Sequence, residues 1–567
     1  MNRNSESHFA NTPTVGISRS KFDRSFDHKT TFNTGDLIPI YCDATIMPGD
    51  TVKMNMSEVV RMMTPIAPVM DNANLDIYFF FVPYRLTWEH FPRFMGENDT
   101  APWTQTTEYE IPQVRFPTTS GGNGWHKGDL ADYFGYPTEV SGNGDTGLTA
   151  SILPFRSYAL IWNEFFRDEN LQNPVNVSKG TDSVVGGQSG SLQNYDPVVG
   201  TERGGKPLKA CKYHDYFTSC LPGAQKGPAV NVPLGQIAPV VFGEKDIPSY
   251  VTPTSQSLNG QLVNITGEVQ GSGGNFNQIG AGGNNGSGGM YTVGVGDAYG
   301  LYTDLSNAVG ATVNQLRQAF AIQKFYERQA LGGTRYIEMV KAHFDVTNPD
   351  YRFQRPEYLG GKRIPINMNQ VVQSTQVLPD GTGNDTTPLG TTGAYSVTSD
   401  RDEMFTHSFT EHGILMGLAC VRTVHTYQQG LNRQYSKKKF TDFYFPEFAN
   451  LGNQDVKLKE IYYTNVTSDN ETAFGYQEAW AAERYFPDIV TGEMRSNYAQ
   501  SLDIWHYADY YQQAPSLGDT WIQETDTNVA RTLAVQSHDQ FFGDFYFKAI
   551  YTRPMPLYSI PGLIDHH

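Results

Sequence analysis

The run Ile77-Tyr78-Phe79-Phe80-Phe81-Val82 sets six bulky residues in line before Pro83. A strand with one wet face alternates apolar and polar residues. This run does not alternate, so it predicts a strand covered on both faces. The surrounding residues 31–82 also read as strands, with Pro48-Gly49-Asp50 as a turn between two apolar segments. The stretch RLTWEHFPRF (85–94) then predicts a short helix.

Elsewhere the apolar period lengthens. Tyr158, Ile161, Trp162 and Phe165 recur at helical spacing in FRSYALIWNEFFRDE. A clearer helix follows at TVNQLRQAFAIQKFYERQALGG. Thr312 and Gln315 form a capping-box pattern at its start, and Gly332-Gly333 supplies a stop. Val313, Leu316, Ala319 and Phe320 line one face, which predicts a helix packed on a sheet.

Between these elements the pattern fades. From Gly260 to Gly300 there are 14 glycines and only two charges, Glu268 and Asp297. Such a stretch buries too little apolar surface for a core of its own and reads as a long surface insertion. Residues 173–206 and 378–396 have similar character. After Arg401 the β-prone segments return, in EHGILMGLACVRTVHTYQQGLN and GDFYFKAIYTRPMPLYSI. Strands at both ends with excursions between them predict one β-sandwich interrupted by insertions.

Composition supports that class. Aromatic residues reach 13% of 567 positions and charged residues only 18%, with 55 glycines and 32 prolines. The net charge is −17, so any nucleic-acid contact must be local or shared with a basic partner. The four cysteines, Cys42, Cys211, Cys220 and Cys420, form no CxxC pair and read as reduced thiols of a cytosolic product. The N-terminus lacks an apolar signal core, and no apolar run reaches membrane-spanning length. Residues before Lys29 read as a flexible arm.

Catalytic and metal motifs find no support. GNGDTG (142–147) has the letters of a dinucleotide loop without a βαβ unit around it. Gly361-Lys362 is followed by Arg363, so there is no P-loop, and neither GxSxG nor HExxH occurs. His407 and His412 are spaced wrongly for one face, PDGTGND lacks the calcium-loop register, and His566-His567 reads as a tail. No metal or cofactor is expected. Carboxylates abound, but none stands out as a glycosidase pair. The most pointed cluster is GLNRQYSKKKFTDFYF. Arg433, Lys437, Lys438 and Lys439 stand there among Tyr435, Phe440, Phe443 and Tyr444, a mixture that can track phosphates and stack bases. A solvated turn would show the same composition.

Several blocks together resemble the major capsid protein of gokushoviruses, small single-stranded DNA bacteriophages of the Microviridae. They are SRSKFDRSFDHKTTFNTGDLIPIY, NLDIYFFFVPYRLTWEHF, LIWNEFFRDENL, CKYHDYFTSCLPGAQKGPAV, LRQAFAIQKFYERQALGGTRYIE, QRPEYLGG, TYQQGLNRQYS and RPMPLYSIPGLID, in order along nearly the whole chain. Residues from about Pro228 to Gly300 have no such match.

The resemblance implies a mainly β fold, an eight-stranded antiparallel jelly roll with long helix-containing insertions. It implies about 60 copies closing into a T=1 icosahedral shell around circular single-stranded DNA. An internal scaffolding protein, a small basic DNA-binding protein and a host cell-surface receptor would be partners, with assembly in the bacterial cytoplasm. The divisions expected are an N-terminal arm (1–31), a first part of the jelly roll (32–227), a variable insertion (228–300) and the remaining strands with a helix (301–567). Receptor-facing candidates in the insertion are Gly271, Asn275, Asn277, Asn284, Asn285 and Tyr291. Arg433 and Lys437 to Lys439 become candidates for internal DNA contact. The competing expectations are a β-sandwich carbohydrate-binding protein or glycosidase, and a phage attachment spike.

Overall fold

The computed structural model describes residues 18–97, 108–116, 124–140, 149–186, 205–230, 240–242, 278–281, 291–294, 301–303, 312–374 and 389–558. Within them the chain forms two compact units, one of Gly227–Tyr326 and one of everything else.

The larger unit is built on two antiparallel sheets. Sheet 1 joins β1 (Ser20–Asp23), β2 (Phe26–Phe32), β4 (Thr51–Met62), β7 (Thr398–Ser408) and β9 (Phe541–Arg553). Its order is β9 flanked by β1 and β2 on one side and β4 on the other, with β7 outside β4. Sheet 2 runs β6 (Glu357–Pro365), β5 (Ala73–Pro83), β8 (Gly413–Thr423), β3 (Ile38–Ile46). The protein is therefore mainly β, with a sandwich at its centre.

Period-two alternation sets the first core. Phe541, Phe545, Phe547, Ala549 and Tyr551 of β9 point inward, as do Val52, Met54, Met56, Val60 and Met62 of β4. From sheet 2 they meet Ile38 and Ile40, then Leu75, Ile77, Phe79 and Phe81, then Leu415, Ala419 and Val421. Each large side chain buried here contributes roughly 1.5–3 kcal/mol against unfolding.

Phe80 and Val82 point the other way, and so do Ile414, Met416, Leu418 and Cys420 of β8. They enter a second core with α1 (Leu153–Ile161), Trp88, Trp125 and Val114. The uninterrupted apolar run therefore has no wet face. Pro154 opens α1, where a missing N–H costs nothing. Tyr158 fixes the helix to the strands by donating to Leu37 O at 2.6 Å and accepting from Leu208 N at 3.0 Å. The helix continues through Trp162–Phe166 as a wide π turn. Residues 85–94 give two single turns, Tyr84–Thr87 and Phe91–Phe94.

Two expectations are corrected. Residues 20–23 and 26–31 of the expected arm are strand rather than a flexible segment, because both β1 and β2 pair with β9, and residues 1–17 of it lie outside the described residues. The second is α2 (Val313–Leu331). Its capping box is present, with Thr312 N and Gln315 Oε1 at 2.9 Å and Gln315 N and Thr312 Oγ1 at 3.2 Å. Yet Val313 and Phe320 are 64% and 65% exposed, so the face predicted to pack on a sheet is open. The helix periodicity was right; its meaning as a core-facing stripe was not. A short helix, α3 (Tyr336–Phe344), follows the glycine pair.

Sheet 1 keeps its outer face open, in contrast to sheet 2. Lys53, Val59, Arg61, Phe542, Tyr546 and Lys548 are exposed there. Its edge strand β7 carries Asp400, Arg401, Asp402 and Glu403 in succession, charges that discourage pairing with a foreign strand. The smaller unit contains two ladders, Val240–Phe242 with Leu301–Thr303 and Gln278–Ala281 with Tyr291–Gly294.

Candidate nucleic-acid interface

A third buried cluster, including Tyr216, Phe217, Tyr427, Val456, Ile461, Phe474 and Trp521, supports the lysine-bearing loop. Asn432 starts the loop by accepting from Gln434 N at 3.0 Å, which caps the single turn Arg433–Tyr435. Asp442 then accepts from the amides of Lys438 and Lys439 at 2.7 and 2.8 Å. The triple-lysine run is thus a turn held by one carboxylate, and those bonds lower the Asp442 pKa.

The four predicted cations do not act alike. Arg433 turns inward, donating to Asp455 O at 2.7 Å and lying 3.4 Å from Glu460. Burial opposes its charge, but Glu460 and Tyr216 outweigh burial and raise its pKa. Glu460 is itself held by Tyr216 Oη at 2.9 Å and Lys457 N at 3.0 Å. Lys437 is paired with Glu483 and lies 5.0 Å from the centre of the Phe443 ring. Lys438 and Lys439 are exposed and have no ion pair among the described residues.

These residues line a cleft of about 540 Å³ with Lys457, Lys459, Glu471, Glu478 and Trp480. Lys459 meets Glu471 at 2.6 Å, and hydrogen bonds from Lys457 and then Lys459 hold the Glu471 carboxyl well below its usual range. Six cations face five carboxylates around the cleft, so the apparent basic patch is close to neutral. Tyr435, Phe440, Phe443, Tyr444 and Phe445 remain exposed beside it. The arrangement can offer two lysines and several rings to an anionic, stackable chain.

The receptor-facing candidates Gly271, Asn275, Asn277, Asn284 and Asn285 lie outside the described residues, as do the GNGDTG and PDGTGND stretches and His566-His567. Tyr291 begins a strand, opposite Ala281.

One buried polar cluster matches no sequence motif. His425 sits between Asp509, 3.0 Å from Nδ1, and Glu524, 3.0 Å from Nε2. Lys212 is 3.6 Å from Asp509, and Asn528 also donates to it. Burial alone would lower the His425 pKa, but the two carboxylates push it up to about 10. A catalytic histidine must reach a substrate. The His425 side chain is 1% exposed, so this charged triad pins Thr423–Gln428 to the segments around residues 509 and 524 instead. Among the described residues no group of acidic, histidine or cysteine side chains is arranged to hold a metal, and no helix is long and apolar enough to cross a membrane. All four cysteines are free thiols.

Comparison with known proteins adds the rest. A family model described as "Capsid protein (F protein)" matches residues 10–563. Capsid protein VP1 of Bdellovibrio phage phiMH2K is 39% identical over 571 residues, spanning 99% of this chain and 98% of that protein. Capsid protein VP1 of Chlamydia phage 1 is 37% identical over 599 residues, spanning 98% and 97%. Capsid protein VP1 of Spiroplasma virus 4 is 39% identical over 566 residues, spanning 96% of each.

Proposed function

The chain belongs to the capsid protein (F protein) family, and from that premise we propose that it forms the wall of a T=1 shell of about 60 copies around circular single-stranded DNA. It is a structural major capsid protein of the gokushovirus kind, not an enzyme. Its place is the virion, whose shell it forms by self-assembly.

The observation that carries the finer reading is the order of strands. Counting from β2 to β9, the first, eighth, third and sixth strands make one sheet and the second, seventh, fourth and fifth make the other. Chain crossings of that kind support an eight-stranded jelly roll. The loops and helices over sheet 2 thicken the wall, and sheet 1 offers a bare surface.

The other partners follow from the resemblance. An internal scaffolding protein guides assembly in the bacterial cytoplasm. A small basic protein helps neutralise the genome, which suits a subunit of charge −17. Residues 228–300 carry the host-attachment surface, with Gly271, Asn275, Asn277, Asn284, Asn285 and Tyr291 as receptor-facing positions. Of the four loop cations, Lys438 and Lys439 are those with charge to offer DNA. Arg433 and Lys437 hold the loop in shape.

The test is electron microscopy of nuclease-treated native particles from producing bacteria. Uniform small round shells with this chain as the dominant band are expected. Native material containing only monomers or small oligomers would overturn the shell reading.

A further inference from the structure

The open face of sheet 1 presents an unusual set of side chains. Phe542 stands between Thr31 on β2 and Arg61 on β4. Four residues along β9, Tyr546 stands between Asp27 and Ser57, and Arg401 of β7 lies beyond Ser57. Lys548 follows, opposite Asn55. The two rings are 37% and 42% exposed, and neither contacts another ring among the described residues. Singly exposed rings are ordinary, but two on one sheet face beside Val59 and unpaired cations form a patch.

Charge separates this face from the rest of the molecule. Lys21, Lys29, Lys53, Arg61, Arg401 and Lys548 project from it, against Asp23, Asp27, Asp544 and Glu403. Lys29 is spent on Asp544 at 3.2 Å and Lys53 on Glu403 at 2.8 Å. Arg61, Arg401 and Lys548 have no ion pair among the described residues. A net positive face on a chain of charge −17 is a local anion site. Lys29, Val59, Arg61 and Phe542 also line a shallow groove of about 530 Å³.

We propose that this face is a platform for single-stranded nucleic acid, with bases stacked on Phe542 and Tyr546 and phosphates held by Arg61, Arg401 and Lys548. Exposed rings on a sheet offer a π surface to any base, and flanking cations follow the backbone. A duplex hides its base faces and gains only the charge term. The ligand class is therefore a single strand of mixed sequence. The face supplies three unpaired cations and two rings on one rigid sheet, where the 437–445 loop supplies two unpaired lysines and its rings on a turn. Its assignment to packaged DNA rests on the shell reading; its affinity for a single strand does not.

The experiment is an anisotropy titration of soluble full-length subunits with a labelled oligo-dT strand and a duplex of equal length. Two variants alter the face, Arg61→Ala/Arg401→Ala/Lys548→Ala and Phe542→Ala/Tyr546→Ala. Lys438→Ala/Lys439→Ala serves as the comparison, and melting curves check folding. The charge variant is expected to weaken oligo-dT at least about 10-fold and to lessen the salt dependence by two to three phosphates. The ring variant should weaken oligo-dT about 10-fold and leave the duplex within about twofold. Binding by both face variants at the wild-type level, or loss confined to the lysine pair, overturns the proposal. So does wild-type protein with no affinity for oligo-dT at low salt, even if microscopy shows shells. A second copy seated on the face overturns it too. That would appear as Lys548→Cys subunits joined to each other by a short bismaleimide within particles.

Discussion

Glu58 on β4 and Lys362 on β6 meet across the sandwich, with Oε1 and Nζ 2.6 Å apart. Glu58 occupies the inward row otherwise filled by Val52, Met54, Met56, Val60 and Met62. Lys362 also reaches Asp400 on β7 at 3.2 Å, so one ammonium ties the β6 and β7 edges together.

Burial pushes the Glu58 carboxyl up to about 7 despite Lys362. The folded state therefore keeps this proton longer than the unfolded chain, whose pKa is about 4.5. Stability from this source is present below pH 4.5 and is lost as pH rises toward 7. The loss should be on the order of 2 kcal/mol, and Glu58→Gln should flatten it. Calorimetric melting of subunits from pH 4.5 to 8 checks this; parallel curves for both proteins would assign the slope elsewhere.

His425 has the same sign in a more alkaline window. Its folded pKa of about 10 lies above the ordinary 6.5, so its contribution is full below pH 6.5 and disappears as pH rises through 10. His425→Gln leaves Glu524 buried without its cation and Asp509 with Lys212 alone, and should cost about 3–5 kcal/mol. Denaturant titration at pH 7 reads the cost, and the variant should lose the wild-type decline between pH 8 and 10.5.

Arg433 and the exposed lysines should separate cleanly. Arg433→Ala strands Glu460 in the protein and should destabilise the subunit by about 2–4 kcal/mol. Lys438→Ala/Lys439→Ala should change melting by less than about 0.5 kcal/mol while lowering the yield of DNA-filled particles. Equal yields of filled particles from the double variant and wild type would remove these lysines from the DNA contact.

Gly333 lies at φ +92°, and a β-carbon there would run into the carboxylates of both Glu338 and Glu169. Those carboxylates receive the amides of Arg335 at 3.2 Å and Thr334 at 2.8 Å. Gly333→Ala should cost more than about 1 kcal/mol, read as a lowered Tm, because it strains the backbone and displaces both acceptors.

Deleting Gly271–Gly289 should spare shells and impair adsorption to host cells. Failure of the trimmed subunits to form shells would make the insertion architectural.

Most of the sandwich was legible because one-sided burial imposes a period of two, and the doubly covered strand showed itself by lacking that period. The Thr312–Gln315 cap was equally plain, being local chemistry. The exposure of Val313 and Phe320 was not, since an amphipathic stripe looks the same whether a core or solvent meets it. The pairing of Arg433 was hidden for a similar reason: a run of cations is visible in the sequence, but Glu460 arrives from 27 residues away. The platform on sheet 1 could not be read at all. Its residues come from strands separated by up to about 490 positions, and adjacency across a sheet leaves no trace in any one segment.

The position of β9 has a consequence for synthesis. Among the strands of sheet 1 it comes last along the chain, and it is the central one, bonded to β2 and β4 at once. A nascent chain that has reached residue 540 can hold the β4–β7 pair, but β1 and β2 still lack the strand they pair with in sheet 1. At about 5–20 residues per second, that waiting lasts roughly half a minute to two minutes. Sheet 1 is therefore complete only once β9 has been made, so chains that stop short of it present no completed sheet for neighbours to join. A chain cut short upstream of β9 lacks the strand that joins β1 and β2 to β4.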